Sequence, residues 1–231
     1  MRNVRPDPGV KLAAEIADVR CVTLRESEYG VRNAIETARL RLEPWDDAHF
    51  DRFATFMQDS AVIRYIRAEP LAHDKALEQH ERSLEEWDTF GFGKRAMIEI
   101  ETGRWLGFVE LSRVGPGKGS RDDDVELGYF VEPSRWGEGI ATEAARATRD
   151  DAFERCGIDE LIGRCRVENV ASARVLAKVG FRRLRLFDLD DGIIVEIHRI
   201  VRSDWSGPVG RGERAFGSGE APTRGEYRET G

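Results

Sequence analysis

Leu127-Gly-Tyr-Phe-Val-Glu-Pro-Ser-Arg-Trp-Gly-Glu-Gly-Ile-Ala-Thr-Glu-Ala144 runs from a strand-like stretch into a turn with two glycines, and a helix begins at once. Glycines let a backbone approach a ligand closely and turn its N–H groups inward. A helix start leaves its first N–H groups unpaired, with the positive end of the dipole outward. Together these make an anion site suited to a pyrophosphate. An ordinary strand-to-helix turn has the same outline, so glycine spacing alone leaves both readings open.

Working outward from this stretch, the periodicity is readable in both directions. Downstream, Ala141, Ala145, Thr148, Ala152 and Cys156 recur every three or four residues, one face of a helix that Gly157 is placed to end. A strand is predicted over 161–167. Ala171, Val175 and Val179 define a shorter helix closed by Gly180. Two strands over 184–189 and 193–201 follow, joined at Asp190-Asp191-Gly192, a hairpin signal. Upstream, runs over 95–100, 105–114 and 125–131 read as an antiparallel meander, with a turn-rich loop at 115–123. Before them a helix is predicted over 74–90. An earlier helix carries Phe50, Phe53, Phe56 and Met57, capped by Asp46 or Asp47. Ala38-Arg-Leu-Arg-Leu42 alternates as a half-buried strand should. The order β-α-α-β-β-β-α-β-α-β-β implies an α/β chain with a mixed sheet and helices on both faces.

The boundaries of the domain follow from composition. One domain is expected over 35–203. Residues 1–34 form an extension of unknown role. The stretch after 204 is rich in glycine and poor in large apolar residues, and is expected to be a disordered tail. Of the 231 residues 40% are hydrophobic and 34% charged, and the formal net charge is -7. With no basic excess, no nucleic-acid partner is expected. With no apolar run near the ~20 residues that span a bilayer, no membrane association is expected either. The first twenty residues hold no signal-peptide core, which places the expectation in the cytoplasm. Cys21, Cys156 and Cys165 give neither a disulfide framework nor metal spacing. His73 and His80 are seven apart without a third ligand nearby. They read as solvated side chains, and no metal is expected.

Trp136-Gly-Glu-Gly-Ile-Ala-Thr-Glu-Ala144 resembles the pyrophosphate-binding motif of the GNAT superfamily of N-acetyltransferases. Two further stretches match in order: Thr37-Ala-Arg-Leu-Arg-Leu-Glu-Pro-Trp45 and Asn169-Val-Ala-Ser172 with Val175-Leu-Ala-Lys-Val-Gly-Phe181. The set is most similar to the branch of ribosomal-protein alanine acetyltransferases, the RimJ and RimL type. The resemblance implies a mostly antiparallel central sheet whose 127–131 and 161–167 strands splay apart. It implies acetyl-CoA as co-substrate, an amine as acceptor and, commonly, a homodimer. The pantetheine arm would pair with free backbone of Phe130 and Val131. The pyrophosphate would rest on the N–H groups of Gly137, Glu138, Gly139, Ile140, Ala141 and Thr142. Trp136 stands beside them as a coenzyme contact or as simple packing. Arg135 and Arg174 are candidates for the outer phosphates.

The implied chemistry is direct attack of a neutral amine on the thioester. An α-amine has a pKa near roughly 7.7–8 and a lysine near roughly 10.4, so a proton must be removed. A backbone N–H near Val131 would hold the oxyanion. The tyrosine that many relatives carry in the helix after the Asn motif is Leu176 here. Ser172 matches a serine that faces the coenzyme sulfur in the Rim branch. It could donate to the thiolate, or cap its helix, and Asn169 has the same two readings. Glu126 and Glu110 lie on strands near the expected cleft and are the candidate bases, with Glu99 on the strand before. Alternation allows only some of them to face the amine, and register is open. The Rim-type glutamate near the final hairpin has no clear match; Asp188 and Asp190 are the nearest acids. Glu143 reads as structural. Beside an enzyme, two other readings stand: a non-catalytic acyl-CoA-binding module of the same fold, and an unrelated mononucleotide-binding protein.

Overall fold

The structure is a computed structural model, and it describes residues 34–117, 119–189 and 192–207. All but the last residue of the proposed 1–34 extension, and most of the proposed tail, therefore lie outside the described residues. The strands are β1 (Ile35–Glu36), β2 (Leu40–Pro44), β3 (Lys94–Glu99), β4 (Trp105–Val114), β5 (Asp124–Val131), β6 (Glu160–Arg166), β7 (Arg182–Leu189) and β8 (Ile193–Val201). The helices are α1 (Phe50–Phe56), α2 (Ser60–Ile63), α3 (His73–Phe90), α4 (Ile140–Glu154) and α5 (Val170–Lys178). The order of the longer elements is the expected one. The first strand begins two residues later than its alternation suggested, and β1 and α2 are additions.

The eight strands form one sheet in the order β1-β2-β3-β4-β5-β6-β8-β7. Every neighbouring pair is antiparallel except β5 and β6. The class is thus mixed α/β, with a mostly antiparallel sheet flanked by helices. Alternation along each strand sends side chains to two cores. Phe53, Trp45, Trp87, Ala96, Ile98 and Phe108 pack between the sheet and α1–α3. On the other face Leu111, Leu127, Leu161, Cys165 and Ile200 pack under α4 and α5, against Ala145, Phe153 and Leu176.

Two residues read from the sequence as peripheral belong to these cores. His80 is buried on α3, where Nδ1 accepts from the Trp45 indole (3.0 Å) and Nε2 meets Asp47 (3.1 Å). The expectation of a solvated side chain is corrected for it, because the helix turns it inward among rings. Trp205, two residues past the expected end of the domain, stacks near Phe153 and donates from its indole to Asp150 (2.8 Å).

Candidate active site

β5 and β6 are joined at a single pair, Glu126 with Ile162, and diverge from there. Both are followed by helices whose N-termini return to the mouth of the gap, which is where open sheets take ligands. The gap widens into a cleft of about 690 Å³ that passes through the sheet to the α1–α3 side.

The edge of β5 that faces this gap can be worked out residue by residue. Glu132 donates to the Leu106 carbonyl, and Leu111 donates away from β5, to Gly93. In an antiparallel ladder the bonded and non-bonded pairs alternate. Phe130 therefore bonds to Phe108 of β4, while Tyr129 and Val131 turn their N–H and C=O toward the gap. A Cβ on Gly107 would meet the Phe130 carbonyl at 2.0 Å, which fixes that carbonyl on the β4 side. Of the two backbones expected to be free, that of Phe130 is engaged, because its register parity is wrong. Trp136 in turn donates its indole N–H to the Val131 carbonyl (2.6 Å). The groups left for an added strand are the Tyr129 amide and carbonyl and the Val131 N–H.

The glycine turn has the geometry of an anion cradle. Gly137 and Gly139 have φ of 84° and 82°, a region unfavourable to any side chain. Gly139 is the N-cap of α4 and makes no side-chain cap, so the first N–H groups of the helix stay open. The cradle is braced from behind. Glu143 in the first turn of α4 accepts from Thr37 Oγ1 (2.6 Å), the Arg39 amide (2.9 Å) and Arg39 Nε (2.8 Å). Arg39 also donates to the Glu138 carbonyl (3.1 Å). Burial pushes the Glu143 carboxyl up, and the Thr37 and Arg39 hydrogen bonds outweigh it and hold the group below the usual carboxylate range. The Arg135 guanidinium is occupied by Glu99 (2.7 Å) and Glu138 (2.9 Å). Arg174 lines the cleft and makes no ion pair among the described residues.

At the start of α5, Asn169 caps the helix by accepting from the Ser172 amide (3.1 Å). The Ser172 hydroxyl does not cap. Its Oγ lies 2.9 Å from the Tyr129 hydroxyl, which also donates to the Ser172 carbonyl (3.0 Å). Burial pushes the Tyr129 phenol well above its ordinary value, so it stays protonated at physiological pH. Sequence reading missed Tyr129. The available signal was parity: it shares a face with Val125, Leu127 and Val131, so a hydroxyl there points under α5. Leu176, in place of the family tyrosine, is fully buried over Gly163.

The glutamates separate by partner. Glu126 is held by Arg164 through Nε (3.0 Å) and Nη2 (2.5 Å). Glu99 accepts from Arg135 and Thr102. Glu110 lies opposite Gly128, where the missing side chain leaves room for its carboxylate: a Cβ there would sit 3.2 Å from Glu110 Oε1. Glu110 and Glu126 both line the cleft. Asp188 is exposed and Asp190 lies outside the described residues. Cys165, Glu196 and His198 bring ligand atoms within 4.8 Å of one another. The same His198 nitrogen already meets Glu196 (2.9 Å), and the other is buried with no partner. A ligating imidazole normally donates that second N–H, so this cluster does not have the form of a metal site. Among the described residues no helix is long and apolar enough to cross a membrane.

Comparison with known proteins agrees with this geometry. The acetyltransferase (GNAT) domain family matches residues 39–182. The FsC-acetyl coenzyme A-N(2)-transacetylase of Aspergillus fumigatus is 31% identical over 159 residues, a match spanning 66% of this chain and 66% of that protein. Among solved structures, the ribosomal-protein-S5-alanine acetyltransferase of Vibrio fischeri superposes with a TM-score of 0.62 at 15% identity, covering 74% of this chain and 98% of that one. The spermidine N-acetyltransferase of Vibrio cholerae, solved with CoA and spermine, gives 0.58 at 17% identity, covering 73% and 98%. A splayed strand pair, an uncapped glycine turn and a family match over most of the described residues converge: the chain belongs to the GNAT family of acetyltransferases.

Proposed function

We propose that this protein moves an acetyl group from acetyl-CoA to a primary amine by direct attack on the thioester. The observation that carries this reading is the gap between β5 and β6, joined at one pair and closed by an uncapped helix N-terminus. The pantetheine arm adds to β5 through Tyr129 and Val131. The pyrophosphate lies on the N–H groups of Gly137 to Thr142. Asn169 shapes the neighbouring turn, and Trp136 packs along the arm while tying down the Val131 carbonyl. The Val131 N–H, free of β4, is the donor for the oxyanion.

Glu110 and the Ser172–Tyr129 pair then serve the two ends of the reaction. Glu110 takes the amine proton, directly or through a water, while the nitrogen bonds to the thioester carbon. Glu126 is the weaker candidate because both of its oxygens are committed to Arg164. As the C–S bond breaks, the electron pair leaves on sulfur as a thiolate, which the Ser172 hydroxyl, held in place by Tyr129, stabilises by a hydrogen bond until solvent protonates it. On the α1–α3 side the cleft is walled by Tyr65, Ile66, Phe130, Ile193 and Val195. With Glu126 paired to Arg164, this lining suits an amine on an apolar or peptide body, as in the Rim branch, better than a polycation. A homodimer is part of the same family reading.

The test is thiol release from acetyl-CoA with three acceptors: an alanine-initiated peptide, ornithine and spermidine. Turnover with the peptide is expected. Tight coenzyme binding with no turnover on any amine would favour the non-catalytic acyl-CoA module instead.

A further inference from the structure

Lys94 carries an amine into a place where a charge is costly: burial pushes its ammonium below the ordinary lysine range, and Glu110 and then Glu86 pull it back. It is 3% exposed, on the face of β3 that packs against α1 and α3. Its Nζ lies 4.3 Å from the Phe53 ring, 4.8 Å from Phe108 and 5.0 Å from Trp45. The cage is rigid. The Trp45 indole is fixed by His80, and the Lys94 carbonyl accepts from the Trp45 amide (3.0 Å) and the Trp87 indole (2.7 Å). Ring faces favour a cation, yet an apolar residue of the same length would fill this space at lower cost.

What the cation meets at the open side of the cage is Glu110. Oε2 of Glu110 lies 3.7 Å from Nζ, and the other oxygen, Oε1, lies over Gly128 in the wall of the cleft. One oxygen faces the buried cation and the other faces the space for the acceptor. From α3, Glu86 and Arg82 face the same pair. From the neighbouring strands, Glu126 and Arg164 share the face of Glu110 but are committed to each other. The Glu86 carboxyl is pushed up to about 7, first by burial and then by Glu110, so at neutral pH it is half protonated and a poor partner for Lys94.

We propose that Lys94 is a positioning residue: a buried, ring-caged amine that holds Glu110 by one oxygen and so keeps the other turned to the acceptor. This rests on the reading that Glu110 takes the amine proton. Lys94 touches neither substrate nor coenzyme and acts only through Glu110.

The test is a cycle of Lys94→Met, Glu110→Gln and the double variant, assayed with the alanine-initiated peptide, ornithine and spermidine. Lys94→Met should lower kcat roughly tenfold or more and leave the KM for acetyl-CoA unchanged. Removing a cation 3.7 Å away should move the acid limb of kcat to higher pH. A carboxyl-labelled NMR titration of Glu110 reads the same movement without turnover. The double variant should match Glu110→Gln alone. Lys94→Gln, polar but uncharged, should behave as Lys94→Met. Wild-type kcat in Lys94→Met, losses that multiply in the double variant, an unmoved Glu110 titration, or full activity in Lys94→Gln would each overturn the proposal. Wild-type turnover by Glu110→Gln would instead remove the base assignment on which it stands.

Discussion

The hydroxyls of Tyr129 and Ser172 lie 2.9 Å apart, bridging the free edge of β5 and the first turn of α5 where those elements flank the gap. The contact links the two sides of the cleft and places a buried phenol behind Ser172, the serine proposed to face the coenzyme sulfur. If the pair acts as a unit, the losses will not add. Tyr129→Phe and Ser172→Ala should each lower kcat roughly tenfold or more with little change in the KM for acetyl-CoA, and the double variant should be no worse than the weaker single. Steady-state kinetics on the three proteins checks this, and multiplying losses would separate the two roles.

Gly128 is a glycine because Glu110 lies over it. A Cβ there would come within 3.2 Å of Glu110 Cγ and Oε1, tighter than ordinary contact. The backbone at Gly128 is extended within β5, so alanine fits the strand itself. Gly128→Ala should therefore fold with near-wild-type Tm while losing roughly tenfold or more in kcat, by turning the carboxylate from the acceptor. Unchanged turnover would argue that the Glu110 position does not matter.

Glu143 gives the glycine turn a pH dependence. Its folded carboxyl is held below the ordinary range, so its contribution is fully present above the unfolded value and is lost as pH falls through the folded one. Glu143→Gln should cost about 1 kcal/mol near neutrality, since it keeps part of the hydrogen bonding to Thr37 and Arg39. It should also flatten the fall in stability below the carboxylate range. Thermal melts from neutral pH down to strongly acidic conditions would show it, and parallel curves for the two proteins would count against it.

Trp205 packs onto the fold two residues past the expected end of the domain. Its half-buried ring packs by Phe153 and its indole bonds to Asp150, so Trp205→Ala should cost about 2 kcal/mol, below the full core penalty because the site is partly exposed. A chain stopped at 203 should lose at least as much, while one stopped at 207 should melt as the full protein does. Equal melting of all three would place the boundary where composition alone suggested it.

Much of this was legible in the chain because strand alternation and helix spacing follow from burial. The 105–114 and 193–201 strands have the expected bounds, and the glycine turn was readable because no side chain suits positions 137 and 139. What alternation does not fix is register between strands. That is why alternation alone does not separate Glu110, Glu126 and Glu99, or show that β4 holds the Phe130 backbone. Tyr129 stayed hidden for a related reason: its role depends on Ser172, which is 43 residues away in sequence and becomes a neighbour only when α5 folds back over β5. The Lys94 cage is assembled from four separate elements, and no local pattern marks it.

The most direct measurement is calorimetric titration of acetyl-CoA into the wild type and into Gly139→Trp. A side chain at φ of 82° is strained whatever the space around it, and an indole there would fill the mouth of the turn. Micromolar binding by the wild type, abolished in a folded Gly139→Trp protein, is the expected result. Absence of binding by the folded wild type, or equal binding by both, would contradict the placement of the coenzyme between β5 and β6.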